Sequence, residues 1–266
     1  MIRHLKVACV LVALMSWAST ASAEPLLQLD IAGGTYDNAS QTVVAPGDTF
    51  TLYALLTPND DATEEEILDL IARTYYIAVA LVPQTGPASE TLGSFDLDST
   101  TVNVTADMTY GTPPLESIPE LQLQDGHDLG SHGIYETFFI EVPFTFTSTQ
   151  TATTYNVENS PGGLVINPDG GTYYVQFSVD MQNLDGAYTL HFDLYDSAIV
   201  ECGKKKKADQ EATCPDVDVD DFAPFSHDAS GPPDRDPPPP VPEAASAILF
   251  GVSLGAAGLR RWLRRR

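Results

Sequence analysis

Positive charge is scarce in this chain: 13 Lys and Arg stand against 37 Asp and Glu, a formal net charge of −24. A nucleic-acid partner is argued against, because a phosphate backbone is held by clustered cations. Cysteine is nearly absent too, with only Cys9, Cys202 and Cys214, so no Cys-based metal spacing occurs. There is no Gly-x-Ser-x-Gly and no His-Glu-x-x-His, which removes the recognisable hydrolase elbow and zincin helix. No internal repeat at solenoid or propeller spacing is found.

What is present begins at the two ends. Arg3 and Lys6 precede an apolar core from Val7 to Trp17, and Ala21-Ser22-Ala23 supplies small residues before Glu24, the pattern of a cleaved secretory signal. At the other end Val241-Pro242-Glu243 leads into an apolar run from Ala244 to Leu259 and then Arg260, Arg261, Trp262 and Arg264 to Arg266. A helix over that run is roughly 24 Å long, short of a hydrocarbon core of about 30 Å. The arginines hold its end in the cytoplasm, so the body before it is expected outside. The order of pieces resembles the PEP-CTERM sorting segment of Gram-negative bacteria that make exopolysaccharide, with Ala244 where that motif has its second proline. The resemblance implies processing by an exosortase-like enzyme and a transient membrane anchor. A plain single-span anchor and a buried helix are the competing readings.

With residues 1–23 as signal and 241–266 as sorting segment, the division expected is a domain over 24–200 and a linker over 201–240. Of the 13 cations, Arg3 and Lys6 fall in the signal and five arginines in the tail, leaving six. Of the 37 acids only Glu243 belongs to the tail, so residues 24–242 hold 36 and carry a net charge of −30. Such a surface stays soluble and attracts divalent cations or basic partners. Cys9 leaves with the signal, and the remaining pair, Cys202 with Cys214, is expected as a disulfide, in keeping with export. The loop between them holds Lys204 to Lys207. Four adjacent ammonium groups read as a solvated loop tip, or as a docking point for an acidic partner.

The body reads as all-β with one short helix. Leu27, Leu29 and Ile31 alternate with Gln28 and Asp30, and Phe50 to Leu56 forms a second strand. Thr63 and Glu66 make a capping-box pattern ahead of Ile67, Leu68, Leu70 and Ile71, which predicts the helix. Tyr75 to Val82 is a near-continuous apolar run, as in a strand covered on both faces. Phe95 to Asp98 and Val102 to Ala106 predict two half-buried strands. Phe138, Ile140, Val142, Phe144 and Phe146 share a face, with Pro143 marking an edge. The clearest alternation follows: Tyr173, Val175, Phe177 and Val179, then Tyr188, Leu190, Phe192 and Leu194 against Thr189, His191, Asp193 and Tyr195, with Asp185-Gly186 predicting a hairpin between them. Eight to ten strands without alternating helices predict an antiparallel β-sandwich, with a jelly roll among the topologies it admits. After Val200 the alternation stops, and Gly231-Pro232-Pro233 and Pro237 to Pro240 read as an extended stalk.

Several short stretches, taken in order, resemble the choice-of-anchor N family. They are Leu29-Asp30-Ile31 with Gly33-Gly34 and Tyr36-Asp37, Phe50 to Ala54, Ala80 to Pro83, His132-Gly133-Ile134, Pro161-Gly162-Gly163, His191 to Tyr195 and Ala223 to Ala229. The resemblance implies an exported body joined to a C-terminal anchor, and no catalytic residues come with it.

Candidate sites are few. Asp216, Asp218 and Asp220 fall on one side of an extended segment beside Asp221, a partial calcium site that lacks the turn glycine and distal Glu of an EF-hand, or else a solvated acidic linker. His127, Asp128 and His132 sit in a glycine-bearing loop and read as a metal or acid–base site, or else as hydrogen-bonded turn formers, the commoner role of a loop His beside an Asp. His191 is read as solvated or paired with Asp193. The run Ser226-His227-Asp228 cannot form a triad, since neighbouring side chains diverge along extended chain, and reads as a packing or turn element. Two function classes remain: a non-catalytic surface protein lodged among exopolysaccharide, and a secreted glycan-binding or glycan-modifying module. The second would need exposed aromatics in a groove, for which Tyr174 and Tyr195 are the hint, or carboxylates at glycosidase separation.

Overall fold

The computed structural model describes residues 26–83, 85–87, 91–117, 136–208, 214, 217, 219–224 and 227–233. The signal segment, the sorting segment with Val241, Pro242 and Glu243, and the loop histidines His127 and His132 lie outside these residues. The described chain is all-β, built on two sheets.

The first sheet contains β1 (Leu27–Ile31), β4 (Thr49–Leu56), β6 (Ser94–Leu97), β7 (Thr100–Asn103), β10 (Thr151–Ala152) and β11 (Thr172–Asp180), in the order β1-β4-β11-β6-β7 with β10 also on β11. The second contains β2 (Thr35–Asp37), β3 (Thr42–Val44), β5 (Tyr75–Val82), β8 (Thr109–Gly111), β9 (Thr137–Phe144), β12 (Thr189–Asp196) and β13 (Asp228–Ser230), in the order β2-β3-β13-β12-β5-β9-β8. Every pairing is antiparallel except β3 with β13. Leu29, Leu52 and Phe177 from the first sheet and Ile77, Val79, Leu190 and Phe192 from the second belong to one buried cluster.

The periodicities explain the faces. Leu190, Phe192 and Leu194 point into this shared core, while Tyr195 on the opposite face joins a second buried cluster with Ala78, Ile199, Val200, Cys202, Cys214, Val217 and Phe222. That second cluster is why Tyr75 to Val82 needs an apolar run rather than an alternation: Ile77 and Val79 face one core and Ala78 the other. The capping box forms as the sequence predicts, Thr63 and Glu66 exchanging hydrogen bonds at the start of α1 (Glu64–Ala72). Pro143 lies opposite Tyr76 on β5, whereas β8 reaches only Thr137 to Phe139 of β9. The proline thus occupies the part of β9 paired on one side only.

Four expectations are corrected. The helix count exceeds one: Val104–Asp107 forms a short turn, α2, where a strand is predicted, and Ser197–Ala208 forms α3. Asp196 caps α3 by accepting from the Ala198 N–H at 2.7 Å, and Lys205, Lys206 and Lys207 favour its C-terminal dipole. The lysine run is therefore part of a helix, not a loop tip. Asp185-Gly186 does not make a hairpin, because β11 and β12 belong to different sheets; Asp185 instead closes a local turn, accepting from Ala187 N and Tyr188 N. The domain also continues past residue 200, since β13 completes the second sheet between β3 and β12. A three-residue strand is too short to show a period, and its neighbourhood of aspartates and prolines hides it.

Cys202 and Cys214 stand at disulfide distance, 5.7 Å between Cα atoms, inside the second cluster. Closing a segment of sequence separation 12 is expected to stabilise the fold by roughly 3 kcal/mol by restricting the unfolded chain. Urea unfolding with and without reductant measures this. Free thiols in unfolded, unreduced protein would rule the bridge out.

Candidate functional site

Two groups of buried polar side chains and one groove are placed in ways the sequence alone does not reveal. The first lies on the outer face of the second sheet. β12 pairs with β13 so that His191 faces Ser230 and Phe192 faces Ala229; one further residue along that register sets Asp228 opposite Asp193. His191 and Asp193 share a strand face two residues apart, and the pairing brings Asp228 onto it. One ligand atom from each of the three residues lies within 4.8 Å of the others, and all three residues are buried. His191 Nε2 is 3.1 Å from Asp193 Oδ1 and 3.7 Å from Asp228 Oδ2.

Burial alone pushes the His191 imidazole down, but the adjacent carboxylates of Asp193 and Asp228 outweigh it and raise the group to about 10. Of the two readings of His191, pairing with Asp193 is observed and solvation is not. The Asp193 side chain is fully buried, and its Oδ2 has no hydrogen-bond partner among the described residues. His227, next to Asp228, is buried as well, and its N–H donates to Pro224 O. Chemically the trio offers one imidazole nitrogen and two hard oxygens in a closed space, which suits a held cation better than a reaction with an outside substrate.

The second group anchors a loop. Asp30 Oδ1 accepts from Ile31 N at 2.8 Å and Gly162 N at 2.7 Å, while Oδ2 accepts a short hydrogen bond from Tyr155 Oη. Gln28 accepts from Val157 N and donates to Tyr155 O. The loop of residues 155–163 thus covers the polar face of β1, which is why Gln28 and Asp30 are buried where alternation predicts exposure. Burial raises the Asp30 carboxyl above its ordinary value against the opposing effect of these bonds.

The third is a groove of about 570 Å³ between β8, β9 and α3, lined among others by Tyr110, Phe139, Glu141, Lys204, Lys206 and Lys207. Glu141 accepts from Tyr195 Oη at 3.0 Å, and burial raises its carboxyl.

The acidic run fares differently. Asp216 and Asp218 lie outside the described residues. Val219–Asp221 is a 3₁₀ helix rather than extended chain, so Asp220 and Asp221 point about 120° apart instead of alternating. Asp220 is exposed, whereas Asp221 bonds with the buried Asp196. Arg73 Nη1 stands 3.7 Å from Asp196 Oδ2. Asp220 and Asp221 therefore do not converge. Tyr174 and Tyr195 are also displaced as groove candidates: both are buried, and they belong to different sheets. No protein-family profile, curated protein or solved structure matches this chain.

Proposed function

We propose that the chain is an exported, non-catalytic protein of the bacterial cell surface or exopolysaccharide matrix, its two sheets forming a β-sandwich delivered by a C-terminal sorting segment. The observation that carries this reading is the cysteine pair. Cys202 and Cys214 are the two cysteines beyond the signal-like segment, and both are buried at disulfide distance. Disulfides persist in oxidising compartments and are rare in the cytosol of mesophiles. The strongly acidic body, the signal-like start and the resemblance of residues 241–266 to the PEP-CTERM segment support the same destination. The choice-of-anchor N resemblance fits a body recognised by its fold and location rather than by chemistry. His191, Asp193 and Asp228 agree with a non-catalytic role, since at 6%, 0% and 0% exposure they meet no external substrate.

The test is expression of the full chain in an exopolysaccharide-forming Gram-negative host, followed by fractionation and intact-mass measurement. The expected product is found outside the inner membrane, begins at Glu24 and lacks Trp262 and the terminal arginines. Replacing Arg260, Arg261 and Arg264 to Arg266 by Gln should leave it at the membrane. A surface-located product of full mass would overturn processing, and a cytoplasmic one would overturn export.

A further inference from the structure

We propose that His191, Asp193 and Asp228 form a structural site for one divalent transition-metal ion, for which Zn²⁺ is the matched probe. The site is independent of the acidic run from Asp216 to Asp221.

Geometry supplies the first argument. An ion held by nitrogen and oxygen at about 2.0–2.1 Å in tetrahedral coordination has ligand atoms about 3.3–3.4 Å apart. The two separations from His191 Nε2, 3.1 and 3.7 Å, bracket that spacing, and all three ligand atoms lie within 4.8 Å of one another. The ligands sit on neighbouring strands inside a seven-stranded sheet, where the ladder fixes their backbones before any ion arrives.

Asp193 Oδ2 gives an independent second argument. It is fully buried and accepts no hydrogen bond among the described residues, although buried carboxylate oxygens nearly always find a donor or a metal.

The donor set selects the ion. Calcium prefers six to eight oxygens in an open, hydrated shell, whereas one imidazole with two carboxylates suits Zn²⁺ or Mn²⁺. Burial of all three residues makes the site a clamp between β12 and β13, tying the last strand into the sheet. The competing arrangement is the His191 ion pair alone, with no ion bound.

The experiment uses untagged full-length protein, stripped with chelator and titrated with Zn²⁺ by calorimetry while the thermal midpoint is followed. One equivalent is expected to bind, with a rise in midpoint that saturates at that ratio. Asp193→Asn, which keeps size and shape, should weaken Zn²⁺ at least tenfold, and Asp220→Asn with Asp221→Asn should leave it unchanged. Should Asp193→Asn not fold, Co²⁺ on the unaltered protein decides: intensified visible absorption at one equivalent, without a thiolate charge-transfer band, is expected. Absence of stoichiometric Zn²⁺ or Co²⁺ binding at micromolar metal, or unchanged Zn²⁺ affinity in folded Asp193→Asn, overturns the site.

Discussion

Phe192→Ala is expected to lower the unfolding free energy by about 3–5 kcal/mol, as truncation of fully buried Phe does where the surrounding structure cannot collapse into the space. Phe192 is fully buried on the inner face of β12, and its ring meets Phe50 of β4 edge to face, centroids 5.9 Å apart at 85°. That contact joins one sheet to the other. Removing the ring forfeits both its own burial and the pair term of about 0.5–1.5 kcal/mol. Neighbouring Leu190 and Leu194 are fixed by the β12–β5 ladder and cannot fill the cavity without breaking register. Against a domain stability of about 5–15 kcal/mol, the loss takes about a fifth or more of the total. Phe192→Leu should recover much of it. Urea midpoints at unchanged slope provide the measurement, and a loss below about 1 kcal/mol for the Ala variant would show that Phe192 does not bridge the sheets.

The same strand shows what was legible in the sequence. Alternation from Tyr188 to Tyr195 correctly placed Leu190, Phe192 and Leu194 in the core, since a period of two is fixed by the backbone itself. It misjudged the other face. His191 reads as solvated or paired with Asp193, and Tyr195 as exposed, because polarity stands in for exposure; the pairing holds, yet His191, Asp193 and Tyr195 are all buried through elements far along the chain. The Asp193–Asp228 juxtaposition depends on which strands pair, and a separation of 35 residues carries no periodic signal. The available hint was composition: His191 with Asp193 and His227 with Asp228 are two of the three places where a His stands beside or nearly beside an Asp in a chain of five histidines, the third being His127 with Asp128.

Two other elements mark the same boundary between local and non-local information. The capping box at Thr63 and Glu66 was readable because every atom involved lies within four residues. The hairpin predicted at Asp185-Gly186 failed although its turn chemistry is correct: Asp185 does accept from Ala187 N at 2.9 Å, but the chain then crosses to the opposite sheet. Turn residues specify a reversal of direction, not the partner that the next strand finds. α3 was missed for a different reason. Its lysines make the C-terminal half look unstructured, while Ile199, Val200 and Cys202 supply a buried face too short to show helical periodicity.

Asp30 should give the other large effect, and its sign depends on pH. Asp30→Ala removes the acceptor for Gly162 N, Ile31 N and Tyr155 Oη together. A buried donor left unsatisfied costs about 1–3 kcal/mol, so the expected loss is about 3 kcal/mol or more, with release of the 155–163 loop from β1. Asp30→Asn behaves differently. Its carbonyl oxygen still accepts from Gly162 and Ile31, and the Tyr155 hydroxyl turns to accept from the new amide. The variant is also neutral at every pH. In the natural chain burial raises the folded-state carboxyl above its ordinary value of 3.8, despite the bonds from Tyr155, Gly162 and Ile31. Folding therefore favours the protonated acid. That contribution is fully present below the ordinary carboxylate value and is lost as pH climbs through the raised one. The natural protein is thus expected to lose stability relative to Asp30→Asn as pH rises from about 3 to about 7, even while other carboxylates shift both proteins together. Paired denaturant titrations across that range measure the difference directly. Parallel stability curves for the two proteins would show that the Asp30 carboxyl titrates in the folded state as it does in the unfolded chain, and the burial argument would fail.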